Sequence, residues 1–123
     1  MKVSIRSNSL PIGAYTATFE GVEEVDHPEY GAGWKWTFEV ALGKLKGQQA
    51  FRTTKNQPTP KNSCGRFLAA LAGETPRDDL EIDTDEYVGR RYTVMVEGSP
   101  SGDSTRVGSF TPIVDDMADI PFA

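Results

Sequence analysis

Cysteine and histidine are almost missing from this chain: Cys64 and His27 are the only ones among 123 residues. A lone cysteine cannot close an internal disulfide, so a reducing, cytoplasmic setting is expected. One Cys and one His also exclude the common metal sites built from those side chains. No apolar run approaches the ~20 residues of a membrane span. The opening MKVSIRSNSLPIG lacks the apolar stretch of a secretory signal, and no membrane partner is expected. Repeats and low-complexity tracts are absent as well.

Catalytic combinations are equally scarce. No Ser or Cys nucleophile motif surrounds His27, and Cys64 falls on the apolar face of a helical pattern, where an inert thiol is the ordinary finding. The acids Asp78, Asp79, Glu81, Asp83, Asp85 and Glu86 lack the glycine and spacing of a calcium loop. Gly31-Ala32-Gly33 has no third glycine and leads into a strand pattern, unlike a phosphate-binding loop. The expectation is therefore a protein that is not an enzyme and has no cofactor and no metal.

What is present suits one soluble domain: 37% of residues are hydrophobic and 25% charged. The net charge of −5 hides a strong asymmetry. Residues 1–30 carry −3, 31–73 carry +6, 74–89 carry −6 and 90–123 carry −2. The middle third is the cationic part of an acidic chain.

The period of the hydrophobic pattern is mostly two. Tyr15, Ala17 and Phe19 alternate with polar residues, and Trp34, Trp36, Phe38 and Val40 do so more clearly. A third strand is expected near Gln48–Lys55, joined to the second by a hairpin. The period then changes to three and four at Cys64, Phe67, Leu68 and Leu71, which marks a helix. Thr59 reads as its N-cap, Pro60 as its first residue and Gly73 as its stop. Gly65 inside it lowers helix propensity and points to close packing. A turn of helix is expected at 83–88, then strands at RRYTVMVEG and TRVGSFTPI. The order β-β-β-α-β-β predicts a mainly β, five-stranded OB-fold-like barrel over 1–113, with an acidic tail at 114–123. An unrelated α+β sheet with one covering helix fits the same elements.

Single strands of nucleic acid are held by cations that follow phosphates and by flat rings on which bases stack. If Trp36, Phe38 and Phe51 face the core, then Lys35, Arg52 and Thr54 face outward. Val94 and Val107 inward put Arg91 and Arg106 outward, so four strands offer a cation to one surface. Lys44, Lys46, Lys55 and Lys61 add to the positive middle segment. Candidate stacking rings are Trp34 and Tyr30 beside the glycines and Phe110 on the outward register of the last strand.

The end of the chain, Asp115-Asp116-Met117-Ala118-Asp119-Ile120-Pro121-Phe122-Ala123, resembles the acidic tip of bacterial and phage single-stranded DNA-binding proteins. Over residues 10–113 the patterns LPIGAYTATFEGVEE, EYGAGWKWTFEV, TPKNSCGRFLAALAGE and YVGRRYTVMVEG are similar to small OB-fold proteins of phage-like replication modules. The first resemblance implies that Ile120, Pro121 and Phe122 anchor in an apolar pocket of a replication or recombination protein, steered by Asp115, Asp116 and Asp119. Two features depart from that family: Ala123 follows Phe122, and no long linker precedes the tip. Together the resemblances imply a sequence-tolerant binder of single-stranded DNA in a bacterial or phage-infected cell. The alternative is a protein-interaction adaptor of the same fold that binds no nucleic acid, favoured by the overall acidity. Exposed sheet edges leave homo-oligomer formation open.

Overall fold

In the computed structural model, which describes residues 10–28 and 31–113, Trp36, Phe38 and Val40 all point to one buried side. They belong to β2 (Gly31–Val40), the second of five antiparallel strands in one sheet. The others are β1 (Gly13–His27), β3 (Gln49–Lys55), β4 (Arg91–Gly98) and β5 (Thr105–Pro112). One helix, α1 (Ser63–Ala72), separates β3 from β4, followed by a single 3-10 turn at Thr84–Tyr87. The expected element order is the observed one.

The sheet runs β3-β2-β1-β4-β5, with the longest strand at its centre. Residues Gly13–Thr18 of β1 pair with β4, and Ala17–His27 pair with β2. A bulge between Phe19 and Gly21 bends the strand from one partner to the other. Gly21 sits there at φ +134°, outside the range an ordinary side chain adopts. The bend curls the sheet into an OB-fold-like barrel whose two edges, β3 and β5, face each other but form no ladder among the described residues. Arg52 bridges that gap, its Nη1 donating to the Val107 carbonyl at 2.9 Å.

Six aromatic rings fill the interior: Phe19, Trp36, Phe38, Phe67, Tyr92 and Phe110. Phe110 lies 4.8 Å from Phe38 and 5.0 Å from Phe67, ring centre to ring centre. The helix brings Phe67 to this cluster, together with Cys64 and Leu71. It is held from the sheet side by the Tyr92 hydroxyl, which donates to the Leu71 carbonyl at 2.7 Å. The Phe67–Phe110 pair meets edge to face, an arrangement that adds roughly 0.5–1.5 kcal/mol beyond burial.

Three local expectations are corrected. The helix begins three residues later than expected, because Asn62 rather than Thr59 is the N-cap and accepts from the Gly65 N–H at 2.8 Å. The same Asn62 oxygen accepts from the Thr59 N–H, which holds Thr59 and Pro60 in a turn before the helix. On β3 the faces are reversed: Ala50, Arg52 and Thr54 share the inner row with Trp36 and Phe38, while Phe51 is on the outer row. Arg52 turns inward because the edge of the barrel offers it a carbonyl and a hydroxyl. On β5 the pairing shifts so that Val96 faces Val107 but Met95 faces Ser109. Gly108 is left as the extra residue, so Val107 and Phe110 both point inward. Gly73, the expected stop, does close the helix at φ +69°.

Candidate nucleic-acid interface

Where β2 begins and β3 ends, the barrel edge opens into a cleft of about 720 Å³. One wall is Gly31–Gly33 at the start of β2, adjoining the β1–β2 connection. The floor is Phe51–Lys55, and the far wall is Arg106 with Ser99, Ser101 and Ser104. Those serines form the β4–β5 turn and brace it internally: Ser104 Oγ donates to Ser99 Oγ at 3.2 Å, and the Ser99 N–H reaches the Ser104 carbonyl at 2.9 Å. Gly33 lets the wall come close, since a Cβ at that position would stand 2.6 Å from the Thr54 carbonyl oxygen.

Cations reach this cleft from two strands, β3 and β5. Lys55 ends β3 and is exposed. Arg106 on β5 holds the Glu97 carboxylate of β4 with Nη2 at 3.1 Å and Nε at 3.2 Å. Arg52 lies beneath, its side chain only 12% exposed, with Nη1 4.0 Å from the same carboxylate. Its Nη2 donates to Ser63 Oγ at 3.1 Å, and Arg66 Nη2 donates to that same hydroxyl at 3.1 Å. Burial, then the positive Arg106 and Arg66 nearby, lower the Arg52 pKa, while Glu97 opposes the shift. Arg52 is thus a largely buried cation with two further cations close by.

Beside the cleft on the outer face, Lys35 Nζ stands 4.2 Å from the centre of the Phe51 ring. Lys35 is therefore outward, as expected, and Phe51 is a half-buried ring with a cation resting on it. Trp34 is half-buried on the inner row and packs against the core from the rim. Phe110 is 3% exposed, so it is a core ring and is not available for stacking. Arg52 is likewise corrected: its side chain, expected to face outward, points inward and lies beneath the cleft.

The remaining candidates do not converge. Lys44 and Lys46 lie in the β2–β3 hairpin, at the opposite end of β2 from the cleft. Arg91 starts β4, while Glu97 and the cleft are near its other end, about 20 Å away at ~3.3 Å per residue. Lys61 is exposed just before α1, and its carbonyl accepts from Arg66 Nη1 at 2.9 Å. Tyr30 and the tail residues Asp115, Asp116, Asp119, Ile120, Pro121 and Phe122 lie outside the described residues.

Sequence reasoning missed Phe51, Arg66, Ser63 and Glu97 as members of this neighbourhood. Arg66 was visible as part of the positive middle segment, but its approach to Arg52 depends on how α1 docks across the barrel opening. Phe51 was read as core because its ring outranks Ala50 and Thr54 in hydrophobicity. A second opening, of about 490 Å³, runs between α1 and β5 and is lined by Phe67, Ala70, Phe110 and Pro112 among others. Among the described residues no cluster of three metal-binding side chains occurs, and no helix is long and apolar enough to cross a membrane. No family model matches the sequence, and no curated protein resembles it closely enough to count as a relative.

Proposed function

We propose that this protein is a sequence-tolerant, non-enzymatic binder of single-stranded DNA, serving a phage-like replication or recombination module. The observation that carries the reading is the meeting of Arg52, Lys55 and Arg106 in one cleft beside the Lys35–Phe51 pair. In OB-folds the face of strands 2 and 3, between the β1–β2 and β4–β5 loops, is where oligonucleotides bind. The strand would lie across Phe51, phosphates toward Arg106, Lys55 and Lys35, with Arg52 adding charge from beneath. No base-edge reader is required, which suits tolerance of sequence. The tail at 114–123 would recruit replication or recombination proteins through Ile120, Pro121 and Phe122, with its acids guiding the encounter.

Fluorescence anisotropy with a labelled oligo(dT), over a series of salt concentrations, tests the reading. Three to four phosphate contacts predict a slope of log affinity against log salt of roughly −2 to −3. Affinity indifferent to salt, or equal for duplex DNA, overturns it. A matched oligo(U) in the same titration reports the preference between DNA and RNA.

The second reading is a protein-interaction adaptor that binds no nucleic acid. What favours it is the largely apolar α1–β5 opening, together with the acidic connection at 74–89. Loss of all oligo(dT) binding at low salt, with partner capture intact, selects the adaptor.

A further inference from the structure

Among the described residues, Glu97 is the carboxylate that lies between the cleft arginines, and its placement is unusual. Glu97 Oε2 receives both donors of the Arg106 fork, Nη2 at 3.1 Å and Nε at 3.2 Å, and lies 4.0 Å from Arg52 Nη1. Its other oxygen, Oε1, is turned toward Gly108, where any Cβ would overlap it. The bulge at Gly108 thus makes the room in which the carboxylate lies. A guanidinium fork is best matched by two parallel acceptor oxygens, and here it finds one. The Glu97 side chain is 48% exposed, whereas Arg52 beneath it is 12% exposed. The acid can therefore swing into water while Arg52 remains, held by Ser63 and the Val107 carbonyl.

We infer that the Glu97 carboxylate is an internal stand-in for a backbone phosphate: it occupies an anion site formed by Arg106 and Arg52, and a phosphodiester displaces it. This rests on the proposed function for the identity of the ligand, not for the existence of the site. A phosphodiester presents two non-bridging oxygens, so it completes the Arg106 fork that Glu97 only half fills. It also brings negative charge to an arginine group in which Arg66 has no acid of its own at hydrogen-bonding distance among the described residues. Glu97 then acts as a built-in competitor. It offsets part of the site's positive charge when no ligand is bound and lowers affinity for every anion that cannot take both donors.

Glu97→Gln keeps the shape and removes the charge. Two probes are titrated into the full chain: a labelled oligo(dT), and inorganic phosphate followed by the NMR signal of the Arg106 Nε–H. The expected result is a two- to fivefold gain for each probe, about the scale of one half-exposed ion pair. Arg106→Ala should cost more in the Glu97→Gln background than in the wild type, which a merely structural Glu97 would not produce. Unchanged or weaker binding of both probes by a Glu97→Gln protein of normal melting temperature overturns the inference. If neither protein binds oligo(dT) while Glu97→Gln still binds phosphate more tightly, the anion site stands and the nucleic-acid reading falls.

Discussion

The Tyr92 hydroxyl donates to the Leu71 carbonyl at 2.7 Å from a side chain that is 1% exposed. This bond fastens the C-terminal end of α1 to β4, so it fixes the helix that in turn positions Ser63 and Arg66. Burial pushes the Tyr92 pKa up to about 12. The folded value stands above the unfolded one, so the contribution is intact below pH ~10 and is lost as pH rises toward about 12, the unfolded chain releasing its proton first. Burial also pushes the Cys64 thiol up, which adds a loss of the same sign. Urea unfolding at pH 8, 10 and 11 should show falling stability. Tyr92→Phe should be less stable at pH 8 by about 1–3 kcal/mol, from the unsatisfied carbonyl, and should flatten much of the alkaline slope. An identical slope in Tyr92→Phe would sink this account. Phe51 sets the matching expectation for binding. On the proposed function, in which bases stack on the flat face, Phe51→Ala should cost about 1–3 kcal/mol of oligo(dT) affinity, and Phe51→Leu nearly as much. Equal affinity in Phe51→Leu and wild type would assign the ring to packing alone.

At the scale of elements, regular alternation was readable and its interruptions were not. In β2 the residues Trp36, Phe38 and Val40 leave one choice of inner face, and that choice is the observed one. In β5 the inner residues Val107 and Phe110 are three apart, which period two cannot reach without the bulge at Gly108. In β3 the hydrophobicity of Phe51 pointed one way and the partners available to Arg52 at the barrel edge pointed the other. Those partners come from β5 and α1, 55 and 11 residues away in sequence, so no local pattern holds them. The helix shows the same division. Its apolar face and its Gly73 stop were legible, whereas its start was displaced by the Asn62 side chain. Gly65 was expected to permit close packing, and a Cβ there would overlap the Thr59 carbonyl oxygen. Replacing it with alanine gains about 1 kcal/mol of helix propensity. The backbone of the preceding turn must then move, and overpacking of this kind costs typically 1–3 kcal/mol, occasionally more. Gly65→Ala is therefore expected to lower the melting temperature, measured by circular dichroism, and a rise would show that the turn yields freely.

For the molecule as a whole, the positive segment seen along the chain is split between two ends of the barrel. The positive middle segment is divided by the length of β2 and β3. Lys55 and the cleft lie at one end, Lys44 and Lys46 in the hairpin at the other. Lys55 lies opposite Gly33 and the hairpin opens after Val40, which puts about 23 Å between them at ~3.3 Å per residue, some three Debye lengths at 0.15 M salt. Counting basic residues in the sequence could not distinguish these groups, because both flank the same strand pair. A short oligonucleotide held in the cleft should therefore sense one group and not the other. At 0.15 M salt, Lys55→Glu is expected to weaken binding of a short oligo(dT) by about tenfold, the scale of one lost and one reversed phosphate contact. The double variant Lys44→Glu/Lys46→Glu is expected to change it by less than about twofold, and to matter only as the oligonucleotide grows long enough to reach the hairpin. Equal losses from the two ends on a short oligonucleotide would mean that the strand follows the whole sheet, and the cleft at the β3–β5 opening would no longer be the place where binding is decided.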